Sequence, residues 1–315
     1  MPQNIQGEIT KDLIKGTVFV VCLFYICGIF PLMSLVLPLF IPLPVLFYRL
    51  KLGRNIGAII PSAATLIVFA VSGRFDVDLV FFSEILLMGF MIGDCFEKNY
   101  PIELTVLKTC AAIWAAGIAI IFFYISVMNI DILLVVSGYV EEVLQMTVTI
   151  YERAGASQDM IHEAMSSMEQ KRDMMVAMIP SFVISFTLML VWITLLMAKP
   201  VLKTGKMPYP AYGPLCFWKA PEFLVWAVIV CGIMLFLPHR TINMVGVNGM
   251  IVLLTVYFFA GIAIVAWFFE QKGLPPMIRI MLYSIIAIQQ WMLLLIAGLG
   301  FFDTWLNLRK MNSEE

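Results

Sequence analysis

The sequence predicts an all-α protein, a polytopic transmembrane helical bundle of eight or nine spans. Three observations predict it. Hydrophobic residues make up 62% of the 315-residue chain and charged residues 13%, against about 45–50% and about 25% in ordinary soluble domains. The mean hydropathy is +0.96. The apolar residues are also gathered into runs of membrane length, since a span needs about 20 residues to cross a core about 30 Å thick at about 1.5 Å per residue. A chain of this balance has too little polar surface to face water, so lipid is its expected solvent.

Nine runs qualify along the chain: 14–30, 32–48, 56–72, 79–93, 109–128, 174–198, 222–238, 244–269 and 280–302. The first run lacks a small-x-small cleavage pattern and is expected to be retained. The second meets it at Pro31 and carries Pro38, Pro42 and Pro44. Each proline removes a donor and opposes a straight helix, so the first two runs form either two spans or one bent unit.

Lysine and arginine in short loops set orientation. With nine spans and the N-terminus in the cytoplasm, thirteen of these cations lie inside and seven outside. With eight spans the balance falls to eleven against nine. Segment 199–219, with four lysines and no acid, decides most of this bias.

Residues 129–173 are the one long extramembrane segment, with eight acids against three bases. The adjacent Glu141 and Glu142 interrupt an apolar stretch at 132–150. Their cost at mid-span predicts an amphipathic helix lying at the outer interface rather than a crossing. A second, polar helix is expected over 157–173, capped by Ser157, with Met160, Ala164 and Met168 on one face. It is either a connector or a lid or partner-docking element. The expected organisation is an N-terminal bundle over 1–128, this extracytoplasmic segment over 129–173 and C-terminal spans over 174–315.

Small residues four apart let helices approach closely in lipid. Gly53 with Gly57, Gly89 with Gly93, and Ala111, Ala115 and Ala119 predict a tight cluster of the third to fifth spans.

Ionisable and amide groups inside spans are the candidate functional residues. Glu84, within the fourth span, would bind a cationic group or exchange a proton, or equally bond a neighbouring helix or reach the outer interface. Asp94 ends that span. Gln289 and Gln290 lie in the ninth span, where an amide needs a partner. Asn248 flanks the eighth. Pro221 and Glu222 read as the first turn of the seventh span, where a missing donor is harmless and an acid suits the helix end. Trp218 and Trp226 fit its aromatic belt. Asp303, Trp305 and Arg309 read as helix termination and snorkelling.

No HExxH, GxSxG, GxxxxGK[ST] or GxGxxG is present, so no enzyme activity, catalytic residue or cofactor is expected. The six cysteines have no CxxC spacing and His162 and His239 lie far apart, so no metal site is expected. The net charge of −1 offers no basic field for nucleic acid.

The ordered series Trp218, Pro221, Trp226, Asn248, Gly261, Leu274-Pro275 with Arg279, and Leu299-Gly300-Phe301-Phe302-Asp303-Thr304-Trp305 to Leu308-Arg309-Lys310 resembles the YybS-like family of bacterial multi-pass membrane proteins. Pro42-Leu43-Pro44 followed by a basic turn, Gly53 and Gly57 resembles it too. The resemblance covers nearly the whole chain and implies the bacterial cytoplasmic (inner) membrane. It makes Trp218, Pro221, Glu222, Trp226, Pro275, Arg279, Asp303 and Arg309 the family-motif candidates. The N-terminal half is similar in layout to the substrate-binding S components of energy-coupling-factor transporters, whose first helix docks a coupling subunit. Here that face reads Gly16, Val20 and Phe24, without the alanine spacing of those components.

The functional expectation is small-molecule transport or substrate capture of S-component type, with Glu84, Gln289, Gln290 and Asn248 as the substrate or proton site. The alternatives are a non-catalytic scaffold recruiting a membrane protein partner, and a proton-coupled carrier. The lipid bilayer is the common partner in all three.

Overall fold

The structure is a computed structural model, and it describes residues 2–30, 33–128, 131–153, 155, 157 and 168–309. Among these residues every regular element is a helix. The chain divides into two compact units. Residues 1–122 and 187–213 form one, and residues 123–186 and 214–315 form the other.

The first unit begins with α1 (Pro2–Ile29). The expected second span is not one helix. Residues 33–39 make two 3-10 turns, and α2 (Pro42–Leu52) starts only at Pro42, which sits in its first turn. The prolines are the reason, since Pro38, Pro42 and Pro44 supply no N–H to a continuous ladder. The broken segment nevertheless travels along a neighbour. Ser34 and Pro38 line a cavity with Asp78, the Pro42 carbonyl lies against Gly89, and Arg49 lies against Gly93. From Asp78 to Asp94 is about 24 Å of helix at about 1.5 Å per residue.

That neighbour is α5 (Val77–Glu97), reached through α3 (Arg54–Gly57) and α4 (Ile59–Ser72). Gly73 ends α4 in the left-handed conformation, and the Asp76 side chain caps α5 by accepting from the Leu79 N–H at 3.0 Å. Next, α6 (Ile102–Met128) runs opposite to α5: Gly117 lies beside Glu84, and Thr105 shares a 3.0 Å hydrogen bond with Tyr212, whose ring meets Phe96. The C-terminal part of α8 (Met168–Thr204) runs the same way as α5, with Thr194 beside Met88 and Tyr209 following onto Phe96. One end of this unit therefore collects the start of α1, the ends of α2, α5 and α8, and the start of α6. It carries Lys51, Arg54, Lys98, Lys108, Lys199 and Lys203, which make it the basic end of the unit.

The small residues do not join the third to fifth spans as expected. Gly57, Gly89 and Gly93 instead receive α2. A Cβ on Gly57 would stand 2.8 Å from the Arg49 Cα, and one on Gly93 2.6 Å from its Cγ. Gly53 turns the chain at φ +80° with nothing against it. Ala111, Ala115 and Ala119 are exposed among the described residues, so the alanine row of α6 does not join the expected cluster.

In the second unit, α7 (Ile132–Arg153) is joined to α8 by a 3.7 Å ion pair between Arg172 and Glu141. The expected polar helix over 157–173 falls largely outside the described residues; from Met168 onward the chain belongs to α8. Farther on, α9 (Leu224–Phe236) and α10 (Arg240–Gln271) form an antiparallel hairpin. The Asn243 amide donates to the Leu235 carbonyl at 2.7 Å, and Gly246 admits Met234 and Leu235.

The last expected span is also broken. It consists of α11 (Pro276–Ile288) and α12 (Gln290–Leu306), bent by 104° at Gln289. Gly261 of α10 abuts the Ile296 carbonyl and Gly300 of α12 abuts the Tyr257 carbonyl, so no side chain fits between these helices. Both ends of the bent pair return to one end of α10. Pro276 follows Gln271 by a short turn, while Arg309, beyond α12, bonds to the carbonyl of Cys216, whose thiol bonds to Glu270. The pair is thus a re-entrant hairpin within this unit.

Among the described residues seven single helical stretches are long and apolar enough to cross a membrane: those in α1, α3–α4, α5, α6, α7, α8 and α10; the bent pair would add an eighth only as a broken span, and its two ends return to the same end of α10. The shorter apolar α9, at 13 residues, is one of the nine runs. The all-α polytopic architecture stands.

Candidate functional site

Glu84 sits in the second turn of α5, in a helix whose other buried positions are almost all apolar. It is half-buried. A Cβ on Gly117 would stand 2.7 Å from its Oε1, so the glycine of α6 makes the space its carboxyl occupies. Among the described residues it has no hydrogen bond and no ion pair. The expected bond to a neighbouring helix is therefore absent among them. The adjoining residues Phe81 and Ile85 line a cavity of about 240 Å³ between α1, the broken segment and α5, which also holds Cys27, Ser34 and Asp78.

The strongest polar cluster of this unit involves Arg49, which belongs to the basic turn after Pro42-Leu43-Pro44. Its side chain is fully buried. It donates through Nη2 to Asp94 at 3.0 Å and to Glu97 at 2.6 Å, and its guanidinium lies 5.3 Å from the centre of the Phe90 ring. Asp94 also receives Lys98 at 2.9 Å and Arg54 at 3.3 Å. Among the described residues Nε and Nη1 of Arg49 have no hydrogen-bond partner. Just beyond the span, the bond to Asp94 holds the Lys98 ammonium above its ordinary pKa. Asp94, read as a helix-end residue, is the hub. The one sequence signal for this was the glycine pair Gly89 and Gly93 directly before Asp94, with Gly57 on the other side of Arg49.

The candidates of the second unit do not come together at one site. Asn248 donates to the Ala177 carbonyl at 3.0 Å and the Met244 carbonyl at 2.9 Å, which ties α10 to α8. Gln289 and Gln290 are both exposed at the re-entrant break, so neither faces a bundle interior. The helix starts at Leu224, so Pro221 and Glu222 lie in the turn before it, and Glu222 and Trp226 are exposed. Pro275 caps α11, and Arg279 donates back to the Leu274 carbonyl at 2.8 Å.

Asp303 and Arg309 depart furthest from expectation. Rather than snorkelling, they form a 2.7 Å ion pair with side chains 3% and 0% exposed. Arg309 also donates to the Cys216 and Trp218 carbonyls, both at 2.8 Å, and Asp303 accepts the Leu308 N–H at 2.7 Å. This bolts the exit of the hairpin to the segment before α9. Burial, with the bond to Glu270, pushes the Cys216 thiol above its ordinary pKa. In the other unit burial pushes the Tyr212 hydroxyl to about 12.

The first-helix face Gly16, Val20 and Phe24 is occupied from within. Gly16 meets Tyr48 and Ile60, Val20 is fully buried, and the Phe24 ring packs at a tilt against Phe82, with centroids 4.6 Å apart. It is not open to a coupling subunit. Among the described residues no group of three potential metal ligands occurs.

A family profile described as "Predicted membrane protein (DUF2232)" matches residues 18–304. The uncharacterized protein YybS of Bacillus subtilis (strain 168) is 21% identical over 309 residues, covering 95% of this chain and 98% of that protein. No solved structure matches. Neither the profile nor this relative carries the expected likeness to S components.

Proposed function

This chain belongs to the family of predicted membrane proteins described as DUF2232, and from that premise we propose that it transports or captures a small molecule, without catalysis, in the bacterial cytoplasmic membrane. The observation that carries the reading is Glu84. A carboxyl within a span, half-buried against Gly117 and without a partner among the described residues, is costly in lipid unless it serves a ligand or a proton. The broken segment before α2 and the cavity lined by Phe81 and Ile85 support a ligand space on the same helix, although Glu84 itself does not line that cavity. The ligand class is a small molecule presenting a cation or a hydrogen-bond donor.

The basic end supports an N-terminus on the cytoplasmic side, because lysine and arginine in short loops favour that side. A binding screen of vitamins and nucleosides on purified protein tests the reading. Wild type binds at least one ligand and Glu84→Gln loses it; no binding by wild type across the panel overturns the reading. A proton-coupled carrier is the second reading, since Glu84 is the carboxyl placed for it. It requires pH-dependent flux in proteoliposomes that Glu84→Gln abolishes, and flux unaffected by that substitution removes it.

A further inference from the structure

We infer that α7 lies flat in the membrane interface, with lipid covering its apolar face. Length and apolarity alone would let this helix cross the bilayer. Chain direction forbids it. The helix before it, α6, starts at the basic end and leads away, while α8 leads back to that end. The chain between them must begin and finish on the same side. One crossing by α7 would leave α8 starting on the wrong side. A second crossing would have to fit into residues 154–167, fourteen residues, where a helical span needs about 20.

The residues of α7 suit the interface. At about 100° per residue, Gly138, Glu141, Glu142, Gln145, Thr149 and Glu152 share one arc. Ile132, Val136, Tyr139, Val143, Met146 and Ile150 share the opposite arc. No residue of the helix is buried by protein, and Val143, Met146 and Ile150 are 54%, 57% and 66% exposed. An apolar row of this length, uncovered by protein and held on one side of a bilayer, has lipid as its partner. Arg172 fixes the polar arc, pairing with Glu141 at 3.7 Å from the first turns of α8. That arc holds three glutamates against Arg153, so attachment relies on apolar burial and not on attraction to anionic headgroups.

Spin labels test this on the full chain in lipid vesicles. Because all six cysteines are free, the nitroxide is attached through a ketone-bearing amino acid at Val136, Val143, Gln145, Ile150 and Glu152. Labels at 136, 143 and 150 should collide with oxygen, and those at 145 and 152 with a water-soluble nickel complex. The alternation should follow a period of about 3.6 residues. An impermeant reductant should quench 145 and 152 from one side only, the same side for both. Three results would overturn the inference: access to the two ends of α7 from opposite sides, apolar-arc labels shielded from oxygen and nickel alike, or detachment when anionic lipid is replaced by zwitterionic lipid.

Discussion

Two buried arginines anchor the two units, and they do so differently. Arg49 is held by carboxylates 45 and 48 residues away, in a cluster of three cations and two acids whose outer members reach solvent. Arg309 is held by an acid six residues away and by two backbone carbonyls more than ninety residues away. The first network joins α2, α3 and α5 at the basic end, with Asp94 as its hub. The second closes a hairpin onto a loop and is sealed. An ion pair out of water stands only where its remaining polar atoms are satisfied or screened. Arg309 meets that condition more fully, leaving one nitrogen unpartnered against two on Arg49.

The contrast breaks first at the sealed pair. Asp303→Ala leaves a buried guanidinium without its acid and should destabilise the second unit by about 3–5 kcal/mol. Thermal unfolding in detergent measures it, and a loss under about 1 kcal/mol would mean that Arg309 finds water. Asp94→Ala should fall at the lower end of about 3–5 kcal/mol, since Glu97 still receives Arg49. A loss larger than that of Asp303→Ala would reverse the comparison.

Glu97→Gln should cost about 0–1 kcal/mol in the same assay, as expected of a half-solvated partner, because its side chain is 53% exposed. Finer still is the thiol beside the sealed pair. Only the thiolate reacts, and both burial and Glu270 raise the Cys216 pKa. Its alkylation should therefore begin at a pH above the ordinary thiol range, and Glu270→Gln should move the onset down. An onset that does not move would show that burial alone sets it. The readout is mass spectrometry of the Cys216 peptide across a pH series.

Much of the fold was legible in the residues. Runs of apolar side chains too long for a soluble core marked the spans, and the prolines at 38, 42 and 44 announced a broken second segment. Glu84 was legible for the same reason, as a charge where solvation is poor. Arg49 was not, because a basic residue near a span end looks the same in sequence whether it faces water or turns inward. Nor was the break at Gln289, where no proline or glycine interrupts the run. The glycine pairs showed close approach without naming the partner: Gly89 and Gly93 receive the short α2 and not another full span.

By itself the sequence determined the solvent, the helical class and the approximate placement of the spans, because the cost of hydrating long apolar stretches depends on composition and length alone. Only the tertiary structure decided which charges are buried, that the last hydrophobic run turns back on itself, and that Glu84 stands against Gly117 without a partner among the described residues. Those outcomes depend on distances between residues far apart in the chain, and the order of residues along one strand of polymer carries no record of such distances.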